Sequence, residues 1–500
     1  MRGIVTPISE LRRKVFTEVA RVGYESDNVL NDIEEIPYLI TPGDQPKYCE
    51  SIWRERAISA ERVRLAMGLS LRPEDQPVSI TNGMAESNID EKYYEPPLMQ
   101  VIPSACDACE AGTHYITDVC HSCVAHPCME VCPKKAISRK KGKTVIDEEL
   151  CINCGKCKAI CPYHAINRKR KPCAEACGIG AIETDDYGRA NINTDRCVSC
   201  GQCMVSCPFG AIADKSQIFQ LSRAIRNGAD IIAEVAPAFE GQFGNDVTPR
   251  QVKSALLDLG FSDVIEVALG ADIGALAEAK HYVEKVTTGE LPFLLTSCCP
   301  SWSMLAKVHF PETIDSVSRE LTPMVATARS IKKEHPDAKV VFIGPCPAKK
   351  LEAMRRTVRS DVDFVITFEE MAAMLDARGI DVTTYESGRA MHDATGAGRG
   401  YAVAGGVAKA IESVILEYYP GCEVNIEHAE GLSECKKMLL LAKAGKKDGC
   451  LIEGMGCPGG CIAGAGTIAL INKAKMNVAN AVRNSTEKLP PRDLLEIDLS

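Results

Sequence analysis

The stretch AKVVFIGPCPAKKLE (residues 338–352) decides the fold class. Its apolar run, 340–343, reads as a buried strand. A Gly-Pro-Cys-Pro turn ends it, and a lysine-bearing segment follows. The same strand-then-loop grammar recurs from about residue 218 onward. IIAEVAPAF (231–239) runs into a turn at Pro237, and FSDVIEVALGADIG (261–274), LPFLLTSCCP (291–300) and GRAMHDATGAGRGYAVAGG (388–406) follow. Helical patterns lie between them: VKSALLDLG, ALAEAKHYVEKV, SMLAKVHF and EEMAAMLDARG. Strands alternating with helices predict an α/β fold of largely parallel sheets flanked by helices. In such sheets ligands collect beyond the carboxyl ends of the strands, and that is where the cysteines fall.

Three loops carry these cysteines: TSCCPSW (296–302), GPCPAKKLE (344–352) and EGMGCPGGCIAGAG (453–466). Four thiols drawn from three loops suit one iron–sulfur cubane. The glycines and alanines crowding 457–466 leave room for something bulky against the backbone. Lys349 and Lys350, close to a thiolate, suggest an anionic ligand that needs a cation. Cys298 and Cys299 are adjacent and cannot easily ligate the same cubane, so one thiol is left for proton chemistry.

Working backward along the chain, the cysteines become dense. There are 25 in 500 residues, 16 of them between Cys106 and Cys207. Cys120-x2-Cys123-x4-Cys128-x3-Cys132-Pro, Cys151-x2-Cys154-x2-Cys157-x3-Cys161-Pro and Cys197-x2-Cys200-x2-Cys203-x3-Cys207-Pro are repeats. Cys173-x3-Cys177 looks like the back half of a fourth, with Cys106-x2-Cys109 as its front half. In two-cluster ferredoxins three cysteines cap one cubane and the cysteine before proline caps its neighbour. Crossed in this way, a complete module nests inside a second one and gives four [4Fe–4S] clusters. Cys120, Cys123, Cys128 and Cys161 hold one; Cys151, Cys154, Cys157 and Cys132 another. Cys197, Cys200, Cys203 and Cys177 hold the third; Cys106, Cys109, Cys173 and Cys207 the fourth. A competing assignment crosses the repeats at 151–161 and 197–207 directly, moving Cys207 to Cys151, Cys154 and Cys157, and Cys161 to Cys197, Cys200 and Cys203. It strands 120–132 without an equal partner. Structural zinc prefers two separated pairs, a poor match to this spacing.

These features divide the chain into a mainly helical segment at 1–100, with helical patterns at 8–24 and 50–69, a ferredoxin-like region at 101–215 whose inserted module spans about 118–170, and an α/β domain at 216–500. The net charge of −9 argues against general nucleic-acid binding. No stretch is long and apolar enough for a membrane span. The start, MRGIVTPISELRRKVF, lacks a signal-peptide core, so a cytoplasmic location is expected. Residues 133–172 hold twelve Lys or Arg against three acids, which reads as a landing site for an acidic electron carrier.

The three cysteine loops resemble the signature of the [FeFe]-hydrogenases over roughly 218–480, and the upstream repeats resemble that family's electron relay. The resemblance implies an H-cluster: a cubane joined through a cysteine sulfur to a two-iron subcluster carrying CO, cyanide and an azadithiolate bridge. By motif position Cys299, Cys346, Cys457 and Cys461 would hold the cubane, with Cys461 bridging. Cys298 would exchange protons with the bridging amine. Lys349 would donate to a cyanide, and Met455 with Ala236, Pro237 and Ala238 would line the two-iron pocket. Glu278, Ser318 and Glu352 match positions of the family's proton path, but His281 stands where a second Glu is usual. Gly344 in place of a common Met, Ser301 where Gly is common, and 464–466 in place of three glycines resemble the branch called group B. The implied activity is reversible 2H⁺ + 2e⁻ ⇌ H2. Electrons pass to or from a ferredoxin, and radical-SAM maturases insert the two-iron unit. A slow hydrogen sensor and a non-catalytic iron–sulfur scaffold are the alternatives. The glycine run 396–406 lacks GxGxxG spacing and reads as cofactor packing, not nucleotide binding. Cys422, Cys435 and Cys450 read as buried thiols, and Cys49 as a free one.

Overall fold

A computed structural model describes residues 3–385, 390–391, 394–497 and 499. Seven strands form two parallel sheets: β1 Ile231–Val235, β2 Asp263–Glu266, β3 Leu294–Leu295, β4 Lys339–Gly344, β5 Phe364–Thr367, β6 Asn425–Glu430 and β7 Cys450–Met455. The first sheet has the order β2-β1-β4-β5 and the second β3-β7-β6. Register is continuous through β4, whose Val341 pairs with Ala233 on one side and Phe364 on the other. Both sheets are covered by helices, which accounts for the unbroken burial of β1 and β5. The α/β class expected from the alternating pattern is the class observed.

Three strands were not foreseen: β5, β6 and β7. β6, NIEHAE, is polar and mostly exposed because it is an edge strand. β5 is an apolar run too short to separate from its helix. The run 388–406 was expected to supply a strand. Part of it, at 388, 389, 392 and 393, lies outside the described residues, and Gly396–Gly400 forms a short helix instead. Thr395 caps that helix by accepting from the Gly398 N–H.

The N-terminal helices are not a separate body. Pro7–Glu25, started by a capping box at Thr6 and Ser9, packs on Ile218–Arg226 and Phe368–Ala377. Val15, Val19 and Ile33 share one apolar core with Val341 and Phe364 of the first sheet.

Between them lie two nested pseudo-symmetric units. Met99–Val101 pairs with Ile212–Asp214 and brackets the whole region. His114–Ile116 pairs with Ile166–Arg168 and brackets the insertion. Each unit holds one hairpin, Ile137–Lys140 with Lys143–Ile146 inside and Ile182–Thr184 with Ala190–Ile192 outside. Backbone angles repeat four times. Ala108, Ser122, Asn153 and Ser199, each just before the second cysteine of a C-x2-C pair, have φ between 46° and 53°. Three residues beyond each final cysteine, Lys135, His164, Gly180 and Gly210 are also left-handed. The split repeat therefore turns as the intact ones do.

Lys350 ties these parts together. Its fully buried ammonium donates to Asp214 at 2.7 Å, to the Lys215 carbonyl at 2.9 Å and to Glu370 at 2.8 Å. It therefore faces away from the cysteine pocket, contrary to the expectation that both lysines serve an anionic ligand. Lys350→Ala strands two buried carboxylates, and denaturant unfolding should show a loss of about 3–5 kcal/mol.

Candidate active site

Four parallel strands end at one place. Beyond β1 comes the Ala236–Pro237–Ala238 turn, beyond β3 Cys298 and Cys299, beyond β4 Cys346, and beyond β7 Cys457 and Cys461. Ala236, Pro237, Ala238, Cys298, Cys299, Cys346, Lys349, Met455 and Cys461 line one internal cavity. Cys457 reaches the group from the side: burial, then Cys457 and Cys299, push the Cys346 thiol up. Cys461 is pushed up by burial, then by Cys299 and Cys346. Thiols gathered in this way make a ligand set that a metal centre can occupy once they are deprotonated.

Other features of the cavity fit a bulky, electron-rich group. The Lys349 ammonium is buried, and Glu352 lies 2.7 Å away on the same helical turn. That pair uses part of the ammonium's donor capacity and leaves the rest toward the cavity. Burial alone would lower the Lys349 pKa, but Glu352, Cys346 and Cys298 outweigh it and the net shift is upward. A charged donor is thus held at the cavity wall. A Cβ on Gly464 would lie 2.5 Å from the Pro345 carbonyl oxygen, and one on Gly460 2.4 Å from the Ala404 nitrogen. The third loop can lie this close only with glycine there.

Cys298 and Glu278 form a second group. Burial, then Glu278, holds the Cys298 thiol well above its usual range, so it stays protonated. Burial also raises Glu278 from 4.5 to about 7, against hydrogen bonds from the Ser297 N–H (3.4 Å) and Ser318. The structure therefore brings Cys298, Glu278 and Ser318 together. Glu352 contacts a different set: it accepts from Thr322 Oγ1 at 2.6 Å and pairs with Lys349.

Several neighbours gave no signal in sequence. Gln202 Nε2 donates to Cys457 Sγ at 3.2 Å from the ferredoxin-like region. The Phe342 ring occupies the space beside Gly344, where a Cβ would meet Cε1 at 2.3 Å. Tyr401 lines the cavity with a buried hydroxyl that lacks a protein partner. Ser301 donates to the Val198 carbonyl at 3.2 Å and so joins the cavity to the last cysteine repeat.

The sixteen upstream thiols gather in four groups. Burial, then Cys123, Cys161 and Cys120, raises Cys128. Burial raises Cys157, with Cys151, Cys154 and Cys132 adding to it. Cys200 is raised by burial, then by Cys203, Cys197 and Cys177. Cys109 is raised by burial and by Cys207 and Cys106, while burial and Cys207 take Cys173 to about 11. Cys161 lines a common pocket with Cys120, Cys123 and Cys128. Among the other cysteines Cys435 is buried, whereas Cys422 and Cys450 are half-exposed, not buried as expected; Cys49 is half-exposed as well.

Residues 229–465 match the family described as iron only hydrogenase large subunit, C-terminal domain. This segment is an iron-only hydrogenase domain. The inserted module, 120–171, matches an LdpA Fe-S cluster-binding domain, and 190–213 a 4Fe-4S binding domain. The hydrogenase domain's relatives include the periplasmic [Fe] hydrogenase large subunit of Nitratidesulfovibrio vulgaris, 29% identical over 50% of this chain and 72% of that one. Iron hydrogenase 1 of Clostridium pasteurianum is 28% identical over 47% of this chain; the match spans about half of that relative, 48%. The cytosolic Fe-S cluster assembly factor NAR1 of Kluyveromyces lactis is 36% identical over 20% of this chain and 22% of its own. Among solved structures, a variant of the [FeFe]-hydrogenase HydA1 of Chlamydomonas reinhardtii aligns with a TM-score of 0.47 at 23% identity. That alignment covers 54% of this chain and 89% of the other.

The buried Glu278 of the hydrogenase domain has a measurable cost. Between its unfolded value near 4.5 and its folded value near 7 the folded chain binds more protons, so stability falls as pH rises through that window. Glu278→Gln removes this dependence. In cofactor-free protein its thermal stability relative to the unsubstituted chain should improve from pH 5 to pH 8, by up to roughly 3 kcal/mol.

Proposed function

We propose that the chain is a hydrogenase that interconverts protons and electrons with H2 at an H-cluster held by Cys299, Cys346, Cys457 and Cys461. One observation carries this reading: four cysteines from three loops, Cys298 and a buried Lys349 paired with Glu352 converge where four parallel strands end. When bound, the two-iron subcluster supplies the metal centre at which dihydrogen is made or split. Lys349 would hold an anionic ligand of that group, and Glu352 keeps Lys349 charged and positioned. Ala236, Pro237, Ala238, Phe342 and Met455 exclude water from the pocket. Cys298 holds a proton at its Sγ, and Glu278, raised to about 7, is the neighbouring group that can take up and release protons near neutral pH. Ser318 orients the Glu278 carboxyl.

Electrons take a separate route. Four [4Fe–4S] clusters in the nested ligand sets form the relay. The set at Cys177, Cys197, Cys200 and Cys203 abuts the active cavity, since Gln202 and Val198 of that repeat contact Cys457 and Ser301. The inserted module lies at the outer end. Lys134, Lys140, Lys141, Lys143 and Arg168 are exposed there, with Val124 and Ile152 bare among them. A reduced ferredoxin or a similar acidic carrier fits that face. Dedicated maturases load the two-iron unit, and a cytoplasmic location goes with this reading.

The similarity to the NAR1 assembly factor favours a second reading, a non-catalytic iron–sulfur scaffold. Gas analysis separates the two. Protein loaded with the two-iron unit and supplied with reduced viologen evolves H2, and Cys298→Ala lowers that rate by about 10²–10⁴-fold at unchanged iron content. No gas from a fully loaded sample leaves the scaffold. The docking face has its own check. Raising salt from 50 to about 300 mM should increase KM for ferredoxin several-fold, and a flat response rejects electrostatic docking.

A further inference from the structure

Glu278 is buried and needs a way out. One of its oxygens accepts from the Ser297 N–H, while Oε2 is buried with no partner. One turn further along the helix Ala268–Lys285 stands His281, whose Nδ1 is likewise buried without a hydrogen-bond partner. Two orphaned polar atoms one helical turn apart cost stability unless a water or a moving proton joins them. On the facing loop Glu320 places Oε1 at 3.5 Å from His281 Nδ1, too far for a settled hydrogen bond but within ion-pair range. Glu320 is near enough to Glu278 for its charge to oppose ionisation there. The loop is fixed on both sides. Ser297 Oγ donates to the Glu320 carbonyl at 3.3 Å, and the Glu320 N–H donates to Ser318 Oγ at 3.3 Å. Thus Ser297 and Ser318, which both contact Glu278, also hold Glu320.

His281 and Glu320 line an open groove of ≈ 540 Å³. The other charged groups of that groove are Lys280, Glu284 and Lys285 on the same helix and Arg329 on Pro323–Glu334. Lys280 and Glu284 pair with each other within the groove, while Lys285 pairs with Glu290 and Arg329 with Asp361. His281 and Glu320 are the pair that spans from the groove to the buried carboxyl.

We propose that His281 and Glu320 form the outer station of the proton route, passing protons between groove water and Glu278. The proposal rests on the hydrogenase reading. A proton arriving on one imidazole nitrogen leaves from the other, so charge is conserved at His281, and Glu320 balances the transient imidazolium. Glu278 takes the proton at Oε2 and returns to its neutral form. The carboxylate of the exit is thus supplied by a loop, not by the helix that carries Glu278.

The test uses cluster-loaded holoenzyme with reduced viologen across pH 5–9. Glu320→Gln with His281→Phe should lower H2 evolution at least about ten-fold and change the shape of the pH profile. Glu320→Asp should restore most of the rate, which a packing role would not require. Lys285→Ala, at the groove edge, serves as the control at the unsubstituted rate. If the double variant does not fold or load, Glu320→Gln alone decides by the same criteria. A second reading needs no turnover: a high-resolution crystal structure of the cofactor-free chain should show an ordered water bridging Glu278 Oε2 and His281 Nδ1. Variants that keep the full rate and pH profile while Glu278→Gln is slow overturn the route and leave the enzyme reading intact. If unsubstituted holoenzyme with an intact cofactor makes no H2, the hydrogenase reading falls and the route with it.

Discussion

Four thiols from three distant loops can meet only if two parallel sheets end at the same level. Here β1 and β4 of one sheet, and β3 and β7 of the other, all point their carboxyl ends at the same cavity. Small residues let the loops close on it. A Cβ at Gly464 would strike Pro345, and one at Gly454 would enter the Trp302 ring. The thiols themselves resist ionisation, since burial and mutual repulsion push Cys346 and Cys461 up. Burial and proximity thus keep these thiols protonated until a metal centre competes with the protons and takes their place. The account of the pocket, the relay and the proton route depends on iron taking that place.

The cysteine repeats were legible because their information is local. A turn such as Cys151–Cys154 needs a left-handed residue at Asn153 and nothing from elsewhere in the chain. The strands β1 and β4 were legible because both faces are covered, which leaves apolar runs in the sequence. β6 was not, because an edge strand has no such requirement. Lys349 and Lys350 could not be told apart, since consecutive helical residues point about 100° apart and only the tertiary structure says which face meets Asp214 and Glu370. Glu278 and Ser318 stood out only by resemblance to a family. Gln202, Tyr401 and Glu320 had no signal, because each reaches its neighbours only through the tertiary fold.

The layout also separates two kinds of traffic. In the proposed reading, electrons enter on the ferredoxin-like side, whose last repeat touches Cys457 through Gln202. On the other side, acids and hydroxyls lead outward from Cys298 to a groove. Lys350, fully buried, serves only as a brace between the ferredoxin-like region and the α/β domain.

The central claim is that the four loop thiols bind a cubane that accepts a two-iron unit carrying CO and cyanide. Infrared spectroscopy tests it most directly. Reconstituted protein is incubated with a synthetic two-iron azadithiolate complex and then freed of excess complex. The account expects sharp CO and cyanide stretches that remain with the protein, shift from those of the free complex, and vanish in Cys461→Ala. Iron–sulfur reconstitution of the upstream clusters with no protein-bound CO or cyanide bands would contradict it.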